Sequence, residues 1–290
     1  WCLFGLGPAK EVGRATLQRT LDFARERDGA ADGRLQVALG PHSPYMCPDR
    51  FLRQVVEAAH EHRLPIHLHL SESAEQVSRS QVLHGETPIA HLDGLGLFDC
   101  PLPTIAAHCI TADDRDIAIL ARKKVVVAHT PKTYMKLGMG MAPLQKFLDR
   151  EVRVALATDG PASNNDLDML QVMRLAGLFQ KNEQRRPEAL PHDRLLRLAA
   201  SGRTIAPGSA ADLAIFATDQ AHWVPRHDLA ASVVYSSHPG DVTHVMCDGR
   251  WLMKDRQLVT LDEERILREA EKRALRLVGA PMRLVRRYRG

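Results

Sequence analysis

The sequence predicts an α/β fold of the TIM-type (β/α)8 barrel class, followed by a small antiparallel appendage. Three observations predict it. Short apolar, β-rich runs alternate five times with helical stretches, the pattern of parallel βα units. Four of these runs carry a histidine or aspartate at or just past the C-terminal end (His42, His69, His108 and Asp159), and His129 ends the fifth. In a barrel the reactive groups gather at the C-terminal strand ends. Finally, neither G-x-G-x-x-G nor G-x-x-x-x-G-K-[ST] occurs, which a doubly wound nucleotide-binding sheet would place after its first strand.

The elements follow in order. LQVAL (35–39) predicts the first strand and precedes a helix with apolar positions at Phe51, Leu52, Val55, Val56 and Ala59. IHLHL (66–70) is the second strand. TIAAHC (104–109) leads into a helix from about Asp113 to Arg122. VVVAH (125–129) leads, through a glycine-containing loop, to a helix around Leu144–Leu148, and VRVALATD (152–159) gives way to a helix from Asp166 to Gln180. After Ala200 the pattern changes. ADLAIF (211–216), SVVYS (232–236), VTHVMC (242–247) and RWLM (250–253) read as short strands separated by Pro, Gly and Asp, with Cys247-Asp248-Gly249-Arg250 as a hairpin turn. Arg265 to Arg276 has helical spacing, with Ile266, Leu267, Ala270, Ala274 and Leu277 on one side. Gly279 and Pro281 end it ahead of a basic tail, MRLVRRYRG.

Composition removes several classes. The 290 residues are 44% hydrophobic and 26% charged, which excludes disorder, collagen and coiled coil. A formal net charge of +4 is too small to argue for nucleic acid. Residues 265–290 hold nine Arg/Lys against two Glu, and are expected to form a docked surface helix with a solvated tail. The five cysteines form no C-x-x-C pair and are odd in number, which argues against a disulfide framework and fits a reducing cytoplasm. No apolar run approaches the roughly 18 residues that span a bilayer, and no signal peptide opens the chain, so no membrane partner is expected.

The densest chemistry lies in His67-Leu68-His69-Leu70-Ser71-Glu72. On a strand His67 and His69 share a face with Ser71, and Glu72 lies just past the end, where the backbone can turn it to the same mouth. Neutral imidazoles ligate zinc or iron, and a nearby carboxylate that is not a ligand can shuttle protons. His108 and Asp159 close neighbouring strands; a carboxylate there can both ligate a cation and take a proton from water.

These residues sit in segments that resemble the amidohydrolase superfamily. His69-Leu-Ser-Glu72, Ala107-His108-Cys109, Lys136-Leu-Gly-Met-Gly-Met-Ala-Pro143 and Thr158-Asp159-Gly-Pro-Ala-Ser-Asn164-Asn-Asp-Leu-Asp-Met169 carry the resemblance. Gly40-Pro41-His42-Ser43-Pro44-Tyr45 and Pro207-Gly-Ser-Ala-Ala-Asp212-Leu213 extend it to roughly residues 35–260. The branch resembled is that of the S-adenosylhomocysteine/methylthioadenosine deaminases and the related triazine chlorohydrolases, including cytosine-deaminase-like enzymes. The resemblance implies that His69 and Asp159 are metal ligands, for Zn2+ or alternatively Fe2+. It implies that Glu72 protonates a ring nitrogen while contacting substrate, that His108 orients the attacking hydroxide, and that His42, His129 and Asn164 bind substrate. Metal-bound hydroxide would attack an sp² carbon bearing an amine, Asp159 would take the proton, and ammonia would leave. The implied substrate is a small amino-heterocycle, most simply an adenosine-like one, and a homo-oligomer is the expected assembly. Where the family reads H-N-P, this chain reads His129-Thr130-Pro131-Lys132, which leaves the substrate open.

The pattern departs from the family at the first barrel strand. That strand ends in an H-x-H supplying two further ligands, whereas no histidine lies between Trp1 and Leu39. The expected architecture is therefore a barrel incomplete at its N-terminal strands with a remnant of a small β-sandwich. Its divisions are residues 1–203 (barrel portion), 204–260 (sandwich portion) and 261–290 (helix and tail), with residues expected to be missing near 200–205. The chain reads as a piece of a longer enzyme or as a decayed copy. Two alternatives stay open: an inert fragment with a binding or subunit role, and a related chlorohydrolase or guanine or cytosine deaminase. Of the 14 histidines, nine, including His60, His84 and His238, are read as surface or structural, and His67 as helping to line the mouth.

Overall fold

A computed structural model of the chain describes residues 10–279, which fall into two compact units. The first runs to Thr204 and takes in Pro225–Ser237; the second comprises Ile205–Val224 and the residues from His238 onward. The expected basic tail and the N-terminal strand remnant at Trp1–Gly7 lie outside the described residues.

The first unit is built on βα alternation. Helices α1 (Lys10–Arg27) and α2 (Asp49–His62) precede β1 (Ile66–Leu70), which is followed by α3 (Ala74–His84) and α4 (Pro88–Gly94). Then come β2 (Thr104–His108), α5 (Asp114–Arg122), β3 (Val126–His129), α6 (Pro131–Leu137), α7 (Leu144–Asp149) and β4 (Arg153–Leu156). The four strands form one sheet, parallel throughout, in the sequential order β1-β2-β3-β4. In β1 the period of two sorts the side chains. Ile66, Leu68 and Leu70 are buried in the core with Leu52 and Val55 of α2, Ile89 and Leu92 of α4, and Ile117 and Leu120 of α5, while His67 and His69 fall on the other face. Each such fully buried aliphatic side chain contributes about 1.5–3 kcal/mol, so this core fixes the register that aims the histidines.

The predicted first strand is the clearest departure. LQVAL is not a strand but a single parallel bridge, Leu39 to Ile66. Pro41 has no N–H to donate, so the ladder cannot continue through Gly40-Pro41. The segment nonetheless stays alongside β1: Leu39 O accepts from His67 N at 2.9 Å, and His42 O from His69 N at 2.9 Å. The described strands accordingly make an open four-stranded sheet and not a closed barrel.

Beyond β4 lie α8 (Pro161–Asn164), α9 (Met169–Gln184), α10 (His192–Ala199) and α11 (Leu229–Tyr235). The predicted helix from Asp166 begins only at Met169, because Asp168 Oδ1 caps the N–H groups of Leu170 and Gln171. SVVYS, expected as a strand, is the end of α11. Asp228 caps that helix through Ala231 N at 2.9 Å, and fully buried Val234 packs in a second core with Leu144, Val172, Met173 and Leu195. Capping and tertiary burial override the β propensity of two valines. Gly177 makes this core possible, since a Cβ there would sit 2.6 Å from Leu195 Cδ1.

The second unit holds an antiparallel sheet, β5 (Leu213–Phe216), β6 (Val242–Cys247), β7 (Arg250–Lys254) and β8 (Gln257–Leu258), in that order. The Cys247–Arg250 hairpin forms as expected: the two pair directly, with Asp248 at φ 48° and Gly249 at φ 74°. The terminal helix α12 (Glu263–Leu277) starts two residues earlier and ends one later than its periodicity predicts, and Asp262 caps it. Among the described residues none of this helix is buried, and Ile266, Leu267 and Leu277 are exposed. No described helix is long and apolar enough to cross a membrane.

Candidate active site

The strand ends converge where the backbone leaves the sheet. Ser71, His108, Cys109 and Asp159 all have positive φ, at 48°, 79°, 50° and 62°. Histidine and aspartate tolerate this region better than most residues, yet each such position costs on the order of 1 kcal/mol or more. Four of them clustered at one end of one sheet mark that end as a place where side-chain direction matters more than backbone comfort.

A cavity of about 300 Å³ opens there, lined by His67, His69, His108, Thr130, Thr158 and Asp159, among others. The imidazoles of His42, His69 and His108 form a row: the first two stack at 4.5 Å between centroids, the second two at 5.4 Å. The tautomer of His69 follows from its neighbour. Nδ1 lies 3.0 Å from the carbonyl oxygen of His42, which can only accept, so Nδ1 carries the proton and Nε2 the lone pair. One carbonyl thus holds both the backbone and the ring of His69.

Asp159 is held by two donors. Gly160 N donates to Oδ1 at 2.8 Å and Ser163 Oγ to Oδ2 at 2.7 Å. Burial pushes its carboxyl upward, but these bonds and the proximity of His108 outweigh that and keep it below the ordinary aspartate value. It is ionised at neutral pH, and each oxygen keeps a lone-pair direction for a cation. Glu72 takes a different set of partners: Tyr45 OH donates to Oε2 at 3.3 Å, Gln76 Nε2 to the same oxygen at 3.4 Å, and Gln76 Oε1 accepts from Glu72 N at 2.9 Å. Its Oε1 stands 3.7 Å from His108 Nε2, an ion-pair distance only when His108 is protonated. Burial drives His108 toward its neutral form, against the pull of Glu72. Burial, then the neighbouring imidazole of His69, lowers His42 and His67 as well.

Two predicted residues stand behind the cavity wall. His129 is wholly buried, and neither ring nitrogen finds a hydrogen-bond partner among the described residues; its ring meets Tyr134 edge-on at 5.3 Å, and burial lowers its pKa to about 3. Asn164 is also buried and donates from Nδ2 to the carbonyl of Thr158, bracing the Asp159 turn from beneath. Positioning groups that the sequence did not single out lie close by. Tyr134 OH donates to His108 O at 3.2 Å and accepts from Thr130 N at 3.1 Å, and Thr130 Oγ1 lies 3.2 Å from His108 Nδ1. Tyr134 is the N4 residue of α6, one turn beyond a strand end, and that spacing is the signal that could have found it.

Comparison with known proteins fits this geometry. Residues 3–252 match the Amidohydrolase family, and the chain belongs to it. Two curated relatives are each named 5-methylthioadenosine/S-adenosylhomocysteine deaminase. The one from Pelotomaculum thermopropionicum is 42% identical over 92% of this chain and 63% of its own. The one from Dictyoglomus thermophilum is 44% identical over 91% of this chain and 64% of its own. This chain therefore spans less than two thirds of those relatives' length. An adenosine deaminase from Xanthomonas campestris, solved with bound zinc, superposes with a TM-score of 0.88 at 27% identity, over 96% of this chain and 66% of that one.

Proposed function

We propose that the cavity at the ends of β1–β4 belongs to a hydrolytic deaminase of an amino-heterocycle, most simply an adenosine-like nucleoside such as 5-methylthioadenosine or S-adenosylhomocysteine. The observation that carries this is the convergence of an oriented imidazole lone pair (His69) and an ionised carboxylate (Asp159) on one cavity, with a second, separately held carboxyl (Glu72) 3.7 Å from His108 of its wall. The names of the relatives supply the substrate class.

The donor set fits a divalent cation of the zinc type, with His69 Nε2 and an Asp159 oxygen as ligands. When bound, such a cation supplies Lewis acidity that lowers the pKa of water to about 7. The chain's own residues do the rest. Asp159 takes the proton of the attacking water and passes it to the leaving amine. Glu72, steadied by Tyr45 and Gln76, delivers a proton to the ring nitrogen beside the carbon attacked and recovers one from the hydroxyl left on that carbon as the amine departs. His108, kept neutral by burial and clamped through Thr130 and Tyr134, accepts a hydrogen bond from the water and so aims it. His42 lies in the same ring stack and contacts the heterocycle.

The same reading extends to architecture. The strictly sequential, all-parallel order supports four consecutive strands of a (β/α)8 barrel, because a doubly wound sheet would reverse its order at a switch point. The face opposite the helices supports it too: half-buried Ile105, Val126 and Val154 line an open cavity of about 1050 Å³, as the interior of an unclosed barrel would. Ammonia release across a panel of amino-purines, pterins and triazines tests the substrate class. Turnover confined to adenosine-like compounds is expected, and turnover of triazines alone would replace the reading with the chlorohydrolase one.

A further inference from the structure

Away from the strand-end cavity, three helices bring metal-ligating side chains together. Asp49 is the first residue of α2, His84 the last of α3, and His91 lies within α4. One possible ligand atom from each lies within 4.8 Å of the other two. His91 Nε2 is 2.9 Å from Asp49 Oδ1, and the rings of His84 and His91 stack at 3.7 Å, inclined by 19°. Glu86 Oε1 stands 3.8 Å from His91 Nδ1, at the other ring nitrogen from Asp49, where it can orient the imidazole. A pocket of about 50 Å³ adjoins the pair, lined by His84, His91, Tyr45, Gln76 and Arg79 among others, which exceeds the roughly 10–15 Å³ that a water needs.

We propose that Asp49, His84 and His91 form a second, structural site for a divalent transition-metal ion of the zinc type. Two imidazoles and a carboxylate are a set that zinc takes at about 2.0–2.2 Å, with water left to complete a tetrahedron. The ion would replace the proton now shared between His91 Nε2 and Asp49 Oδ1, and a rotation of the exposed His84 ring turns its lone pair toward the same point. Charge favours it: Asp49 and Glu86 supply two negative charges against the one positive charge of Arg79 on the pocket wall. The placement has a structural consequence. Tyr45 and Gln76, the two side chains that hold Glu72, line this pocket, so an ion there ties α2, α3 and α4 into the wall behind them.

The test counts zinc bound per chain, and its affinity, by equilibrium dialysis of the unmodified protein and of three variants. His84→Ala removes an exposed ligand and leaves the buried His91 in place, so the fold is retained, and circular dichroism verifies this. The expected result is that His84→Ala loses one zinc equivalent, or binds it at least about tenfold more weakly. His69→Ala keeps that equivalent, and so does the surface control His60→Ala. The same zinc stoichiometry and affinity in His84→Ala as in the unmodified chain would overturn the site, as would an equal loss in His60→Ala. Because His69→Ala reports on the strand-end cavity separately, failure of either site leaves the other readable.

Discussion

Asp159 and Glu72 are both carboxylates at the mouth of one sheet, yet their surroundings assign them different work. Asp159 receives hydrogen bonds from Gly160 and Ser163 and stays ionised, while Glu72 faces a tyrosine, a glutamine and an imidazole. Glu72→Gln keeps the shape and removes the proton; turnover should drop by about 10²–10⁴-fold with zinc content unchanged, measured by ammonia release and metal analysis. A variant retaining near-full rate removes Glu72 from the mechanism. His129 is set up differently again. Its folded value of about 3 lies below the roughly 6.5 of an exposed histidine, so between those values the unfolded chain binds a proton that the folded chain does not. Its contribution is fully present above pH 6.5 and is lost as pH falls toward 3. From pH 7 to pH 5 this residue alone should cost about 2 kcal/mol of stability. His42, His67 and His108, lowered too, act in the same direction. Urea unfolding of His129→Phe at the two pH values should show a pH dependence shallower by about that amount, and an unchanged slope contradicts the buried neutral imidazole. The side chains that clamp His108 were not legible in the sequence, since their contacts are spatial: Thr130 and Tyr134 reach it across 22 and 26 residues.

At the scale of elements, the period-2 pattern of IHLHL placed His67 and His69 on one face correctly, because parallel burial leaves a strand no freedom of register. The same kind of reading failed where a covalent or tertiary constraint outweighed pattern. Pro41 broke the ladder after Leu39, and Asp228 together with the burial of Val234 turned a β-rich pentapeptide into a helix. The apolar stripe of α12, a docking face by its pattern, finds no cover among the described residues. Gly177 offers a test of the second core. Substituting alanine gains about 1 kcal/mol of helix propensity, but places a methyl 2.6 Å from Leu195 and 3.2 Å from the Tyr235 hydroxyl. Overpacking of about 1–3 kcal/mol exceeds the gain, so Gly177→Ala should lower the urea midpoint with the m-value unchanged. A raised midpoint would mean that α9 and α10 are not so closely packed.

For the molecule as a whole, the strand-end groups could be read together because a parallel topology sends the C-terminal ends of all its strands to one side, whatever the loops do. His69, His108 and Asp159 line one cavity, and His42 joins them by stacking on His69. The Asp49, His84 and His91 cluster escaped notice because its members lie on three different helices, Asp49 and His91 being 42 residues apart, with no spacing motif to announce them. Hydrolytic deamination at the strand-end cavity through Asp159 stands or falls on the ammonia released from S-adenosylhomocysteine by the zinc-loaded chain and by its Asp159→Asn variant. One ammonia per substrate consumed is expected from the unmodified chain, with loss of turnover and weakened zinc retention in Asp159→Asn. Equal rates in the two proteins, or no ammonia from a folded chain with zinc bound at His69 and Asp159, would contradict it.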